Sequence, residues 1–220
     1  MPLLSVFNEN IREYERWYDD NELIYQAELN ALRKLVPSTG IGMEIGCGTG
    51  RFTVPLGIKV GVEPALNMAE IARAKGISVC QAFGEKLPFE DSQFDFVVLV
   101  TVLCFVKNVS LILQEARRVL KSRARIVLGL IDRNSVLGRV YESRKKKSTF
   151  YKSAHFYSVS EIMELMQQNG FSGFQCYQTI LGNPDQISML YQVYEGHGKG
   201  AFVVLSAEKN QLDEIKPRDK

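Results

Sequence analysis

Apolar positions along the chain switch repeatedly between a spacing of three to four and short unbroken runs. From Asn21 to Val36 the residues Tyr25, Leu29, Leu32 and Val36 recur at helical spacing, and Pro37 stops the run. Ile41 to Gly46 then reads as a short strand that ends in a glycine-rich turn, and Lys59 to Val62 as a second strand. Leu66 to Lys75 predicts a helix closed by Gly76, and Ile77 to Ala82 a third strand. Phe94 to Val100 is a continuous β-branched and aromatic run, the pattern of a strand buried on both faces. Ser110 is the expected cap of a helix to Leu120, with Ile112, Ala116 and Val119 on one face, before a strand from Arg125 to Ile131.

Alternation of this kind predicts a parallel sheet with helices on both faces. It breaks after Asp132, where Arg133 to Phe156 is polar, basic and aromatic and reads as an insertion. Ser158 and Glu161 form a capping box for a helix that ends at Gly170. Phe174 to Leu181 and Ala201 to Ala207 read as two final strands, and the charged stretch from Glu208 to Lys220 as a frayed tail.

Charge changes this picture little. With 27 basic and 25 acidic residues, the net charge of +2 provides no footprint for nucleic acid or an anionic membrane. The run Arg144 to Lys147 lacks interleaved aromatics and reads as a solvated loop. No signal peptide is apparent, and the apolar run Phe96 to Val106 is shorter than the about 20 residues of a membrane span. Cys47, Cys80, Cys104 and Cys176 form no CxxC pair, so neither zinc nor a disulfide framework is expected. Free thiols in a reducing cytoplasm fit this usage.

The chemistry-bearing signal is Glu44-Ile45-Gly46-Cys47-Gly48-Thr49-Gly50, at the end of the first strand of the sheet. Ligands of open α/β sheets bind at such strand ends, and closely spaced glycines let the backbone approach them. A Walker loop fails because Arg51-Phe52 follows Gly50. A dinucleotide GxGxxG starting at Gly46 would place Arg51 where the third glycine permits close packing, which disfavours a nicotinamide oxidoreductase. Val60-Gly61-Val62-Glu63-Pro64 puts a carboxylate at the tip of the second strand, where it can accept from both hydroxyls of a ribose, and Pro64 opens the next helix.

These two blocks, with Gly84-Glu85-Lys86-Leu87-Pro88-Phe89 and Phe94-Asp95-Phe96-Val97-Val98, resemble the class I S-adenosylmethionine-dependent methyltransferases. The Glu-x-Leu-Pro-Phe segment is similar to the small-molecule branch that includes ubiquinone and menaquinone biosynthesis enzymes. The resemblance spans Ile41 to Asp132. It implies a Rossmann-like, doubly wound, mostly parallel seven-stranded sheet with helices on both faces and an antiparallel last strand. It implies a single domain: an N-terminal helical lid over 1–40, a cofactor core over 41–132, an insertion over 133–157, a helix and strands over 158–207, and a tail over 208–220.

The resemblance also assigns cofactor contacts. Gly46, Cys47, Gly48, Thr49 and Gly50, with Glu44 before them, match the loop that wraps the methionine moiety, and Glu63 with Pro64 matches the ribose site. Phe83, Gly84, Glu85 and Leu87 fall at the adenine, and Thr101, Val102 and Phe105 beside the reacting methyl group. Two positions depart from the pattern. Phe83 stands where many relatives carry aspartate, and Cys104-Phe105 where many carry Glu-His, which makes for a more apolar pocket floor.

The implied activity is methyl transfer from S-adenosylmethionine to a small-molecule acceptor by in-line displacement, in a cytoplasmic monomer or homodimer without metal. Alternatives are an RNA or protein methyltransferase, or a non-catalytic cofactor-binding regulator. Tyr14, Trp17 and Tyr18 could form a lid or pack an amphipathic helix on the sheet edge. Tyr14, Tyr151 and His155 are candidate catalytic side chains, while His197, between glycines, reads as a turn residue.

Overall fold

A computed structural model describes residues 2–181 and 192–211. It contains one eight-stranded sheet in the order β3-β2-β1-β4-β5-β8-β6-β7. The first five strands are β1 (Gly42–Ile45), β2 (Val60–Val62), β3 (Ser78–Cys80), β4 (Phe94–Val100) and β5 (Leu120–Ile131), and all pair in parallel. β8 (Gly200–Lys209) inserts antiparallel between β5 and β6 (Phe171–Leu181). The strand beyond the expected seven is β7 (Tyr194–Glu195), a two-residue edge on β6. It is too short to leave a periodic signal.

The period of β4 explains how the sheet is covered. Val97 and Leu99 belong to a core completed by Ile112, Leu113 and Ala116 of α5 (Val109–Val119) and by Ile162 and Met166 of α7 (Val159–Gln168). Phe96, Val98 and Val100 face the other way, onto Ala27, Leu29 and Leu32 of α3 (Glu22–Leu32). Both faces are therefore dry, and function is left to the ends of the strands. The order reverses between β1 and β4, which places the switch point at the carboxyl end of β1, next to the glycine loop.

Several boundaries differ from expectation: β5 starts at Leu120 rather than Arg125 and β6 at Phe171 rather than Phe174, and three others differ for local reasons. α5 starts at Val109 because Asn108, not Ser110, is the cap: its side chain accepts from the Leu111 N–H at 3.3 Å. Regular helix in α3 stops at Leu32, and turns continue to Val36, whose N–H donates to the Leu32 carbonyl at 2.9 Å. β8 extends through Glu208 and Lys209, with Glu208 paired to Arg125, so the tail begins later than Glu208. Residues 212–220 lie outside the described residues. The Ser158 capping box of α7 is present with both reciprocal bonds.

Before β1 the chain forms α1 (Pro2–Glu9), α2 (Ile11–Asp20) and α3; the insertion contains α6 (Val136–Arg144). α4 (Leu66–Ala74) follows β2. Side-chain bonds tie the amino-terminal helices over the strand ends. The Asn67 N–H donates to Asn8 at 2.9 Å, Thr149 donates to Glu13 at 2.9 Å, and Arg51 pairs with Glu15 at 2.5 Å and Asp19 at 2.8 Å. Arg51 also lies over the Tyr18 ring, 5.4 Å from its centroid. Residues 51–57 form turns rather than a helix, so the arginine does not face the close helix-strand packing of a dinucleotide fold.

Candidate active site

The glycine loop leaves β1 with three positive φ angles: +73° at Gly46, +53° at Gly48 and +85° at Gly50. At Gly46 a Cβ would sit 2.4 Å from Val102 Cγ2, so a side chain is excluded by space as well as by conformation. Glu63 closes the loop from β2. Its Oε2 accepts from the Gly48 N–H at 2.9 Å and its Oε1 from the Ala65 N–H at 2.8 Å. Burial raises its pKa, and the two N–H donors oppose the rise.

Glu44 plays a different part. It is buried, accepts from the Thr53 hydroxyl at 2.5 Å, and ties β1 to the turns after the loop. Burial pushes its pKa up to about 8, against the Thr53 bond. Cys47 packs behind the loop against Ala72 and Ile77, and burial raises its thiol pKa. Thr49 donates to Glu15 of α2.

A cavity of about 460 Å³ opens at this strand end. Gly46, Gly48, Glu63, Pro64, Phe83, Gly84, Glu85, Thr101, Val102 and Phe105 line it, together with Tyr14 and Tyr151. Glu44, Cys47, Thr49, Gly50 and Leu87 do not; they lie behind the lining. Leu87 is buried, with its N–H donating to Glu115 at 2.7 Å. Arg118 of α5 donates to the carbonyls of Leu87 at 3.1 Å and Phe89 at 2.7 Å and pairs with Asp91 and Glu115. This clamp holds the segment carrying Phe83, Gly84 and Glu85 at the cavity wall. His155 is exposed and outside the lining, its ring edge-on to Tyr157 at 4.5 Å. His197 is likewise exposed.

The cavity roof is aromatic. Phe7 of α1 meets Phe105 edge-on at 5.3 Å and Phe150 at 5.4 Å; Tyr14 and Tyr18 of α2 meet at 5.1 Å. Tyr151 stacks on Phe105 at 5.8 Å and touches Tyr141 at 5.3 Å. The amino-terminal helices and the insertion thus roof the cavity jointly, and Trp17 is part of its wall. Burial raises the pKa of Tyr14 and Tyr151, so both phenols stay protonated at neutral pH. Cys104 points away, with its thiol 3.2 Å from the Thr101 carbonyl.

Two lining residues hold strained backbone: Thr101 at φ +52° and Ile180 at φ +60°. For a threonine and an isoleucine this region costs about 1–3 kcal/mol each. Sequence reasoning did not reach Ile180, Phe7, Phe150, Phe202 or Leu137. Nor did it reach Glu28, a buried carboxyl whose pKa burial pushes up to about 8. Its one signal was an acid between Tyr25 and Leu32, at helical spacing from both, on the apolar stripe of α3. Among the described residues no three His, Cys, Asp or Glu side chains gather as a metal site. No helix among them is long and apolar enough to cross a membrane.

A doubly wound sheet with a glycine loop at its switch point and a carboxylate on the next strand defines a nucleoside-cofactor-binding protein. A methyltransferase-domain family model matches residues 43–128. An uncharacterised Methanocaldococcus jannaschii protein is 46% identical over 94% of this chain and 100% of its own. A Thermotoga maritima crystal structure, described as an S-adenosylmethionine-dependent methyltransferase and possible histamine N-methyltransferase, superposes with a TM-score of 0.91. That chain is 47% identical, over 94% of this one and 99% of its own. A Staphylococcus aureus demethylmenaquinone methyltransferase is 25% identical over 56% of this chain and 57% of its own. The chain belongs to the S-adenosylmethionine-dependent methyltransferases, and its cofactor is S-adenosylmethionine.

Proposed function

We propose that this methyltransferase acts on a small-molecule acceptor, held under the aromatic roof beside the cofactor. The observation that carries this reading is the continuity of one cavity from the glycine loop and Glu63 to Tyr18, Leu137, Tyr141 and Phe202. A cavity of about 460 Å³ walled by rings suits a compact ligand and gives no track for a polymer. The names of the similar Thermotoga maritima and Staphylococcus aureus proteins point to small acceptors as well.

The residues at the strand ends fit the cofactor. Each Glu63 oxygen takes one N–H and keeps capacity for a ribose hydroxyl. Gly46 and Gly48 would lie along the methionine moiety, with Gly50 shaping the loop from behind; Phe83, Gly84 and Glu85 along the adenine; Thr101, Val102 and Phe105 near the methyl group. When bound, S-adenosylmethionine supplies an electrophilic methyl on a sulfonium sulfur. The protein's share is to hold the acceptor atom in line and to exclude water. The rings of Tyr14, Phe105 and Tyr151 do the second and present electron-rich faces to a cation. With both phenols neutral and His155 outside the wall, no general base is assigned to Tyr14, Tyr151 or His155.

The test is calorimetric titration with S-adenosylhomocysteine, using NADH as control, followed by a labelled-methyl screen. We expect binding of S-adenosylhomocysteine alone and label in small molecules. Label entering RNA or protein but no small molecule would overturn the acceptor class.

A further inference from the structure

Glu28 lies at the end of the second turn of α3, is 6% exposed, and lines the cavity. Among the described residues no hydrogen bond or ion pair reaches its carboxyl, and burial is the one influence on its pKa. The other buried carboxylates are partnered: Glu44 by Thr53, Glu63 by Gly48 and Ala65, and Asp132 by the Asn134 N–H at 3.0 Å. Glu28 acts electrostatically on Tyr18 of α2, Tyr141 of α6 and Tyr151 of the insertion, and all three line the same cavity as Glu28. Buried polar groups are satisfied as a rule, and a lone carboxyl facing a cavity wants a ligand partner.

We propose that Glu28 is the acceptor-recognising residue and selects a small molecule with a protonated amine on an apolar body. This rests on the small-molecule reading above. The wall around the carboxyl offers aromatic faces, which attract a cation, and aliphatic side chains such as Leu137 and Ile180. Lys107, among the described residues the one basic side chain of the lining, is exposed. Glu28, Glu63 and Glu85 all line the cavity, so an anionic acceptor meets like charge. Burial lifts the phenols of Tyr18, Tyr141 and Tyr151, leaving Glu28 as the group among them that can become charged near neutral pH. An ammonium group repays the desolvation of the ionised carboxylate; a neutral hydroxyl repays only a hydrogen bond.

Trp17, the single tryptophan, lines the same cavity and reports occupancy by fluorescence. The protein, saturated with S-adenosylhomocysteine, is titrated with 2-phenylethylamine and cyclohexylmethylamine, with the matching alcohols, and with 3-phenylpropionate. We expect each amine to bind at least roughly tenfold tighter than its alcohol, and the carboxylate not to bind. Glu28→Gln, which keeps the side-chain shape, should remove the preference for amines and leave S-adenosylhomocysteine affinity unchanged. Glu28→Asp should restore part of it. Equal binding of amines and alcohols, no binding of either amine, or a preference that survives in Glu28→Gln overturns the assignment. Label transferred only to RNA or protein would instead overturn the small-molecule reading, and failure to bind S-adenosylhomocysteine the cofactor assignment.

Discussion

Glu63 and Glu28 line one cavity, and they are held in opposite ways. Glu63 stands at a strand tip, fixed by two backbone N–H groups. Glu28 stands in the middle of a helix, and among the described residues no hydrogen bond or ion pair reaches its carboxyl. The half of the cavity proposed for the cofactor is built by backbone that a short motif can encode. The half proposed for the acceptor is built by side chains from α1, α2, α3, α6, the insertion, β6 and β8, which meet only in the folded chain.

The largest expected effect is on stability. Glu28 and Glu44 have an ordinary pKa of 4.5 and are pushed up to about 8 by burial. Between those values the native state holds protons that the unfolded state has lost. The stability these two groups contribute is therefore full below about 4.5, falls as pH rises, and is lost above about 8. Each group contributes a slope of up to about 1.4 kcal/mol per pH unit. Urea unfolding at a series of pH values should show the decline, and Glu28→Gln should remove one group's share. An unchanged slope in that variant would mean that Glu28 is better solvated than its position indicates.

Next in size is Gly46→Val, which sets a β-branched side chain at φ +73° with its Cβ 2.4 Å from Val102. We expect about 3 kcal/mol lost from S-adenosylhomocysteine binding, roughly a hundredfold by calorimetry. Glu63→Ala should weaken the same binding by about 1–3 kcal/mol, through lost hydrogen bonds to the ribose. An unchanged dissociation constant would remove Glu63 from the ribose. The smallest effect is that of His155→Ala. Because His155 is exposed and outside the cavity, kcat should stay within about twofold of the parent, well inside the scatter of surface substitutions. A large loss would place a histidine in the chemistry after all.

Much of the fold was legible because period reports burial. The run Phe94 to Val100 announced a strand covered on both faces, and the two cores divide it residue by residue. The glycine loop and Glu63 were legible because their demands, positive φ and an acceptor at a strand tip, are local. β7 was not, since two residues carry no period. Leu87 matched a cofactor motif by position yet lies behind the wall, because the Arg118 clamp on its carbonyl sets which residues of that segment face inward. Glu28 was hidden for the converse reason: in sequence it is one acid within an amphipathic helix.

The sequence by itself determined the alternation of strands and helices, the loop that defines the switch point and the carboxylate that follows it. Each rests on backbone conformation or on period, which neighbouring residues settle among themselves. Tertiary structure alone decided which aromatic rings share a roof, and that Glu28 faces a cavity rather than solvent. Those facts depend on distant elements packing together: α3 against β6 and β8, and the insertion against α2 and the β4 end. Spacing along the chain carries no record of such contacts.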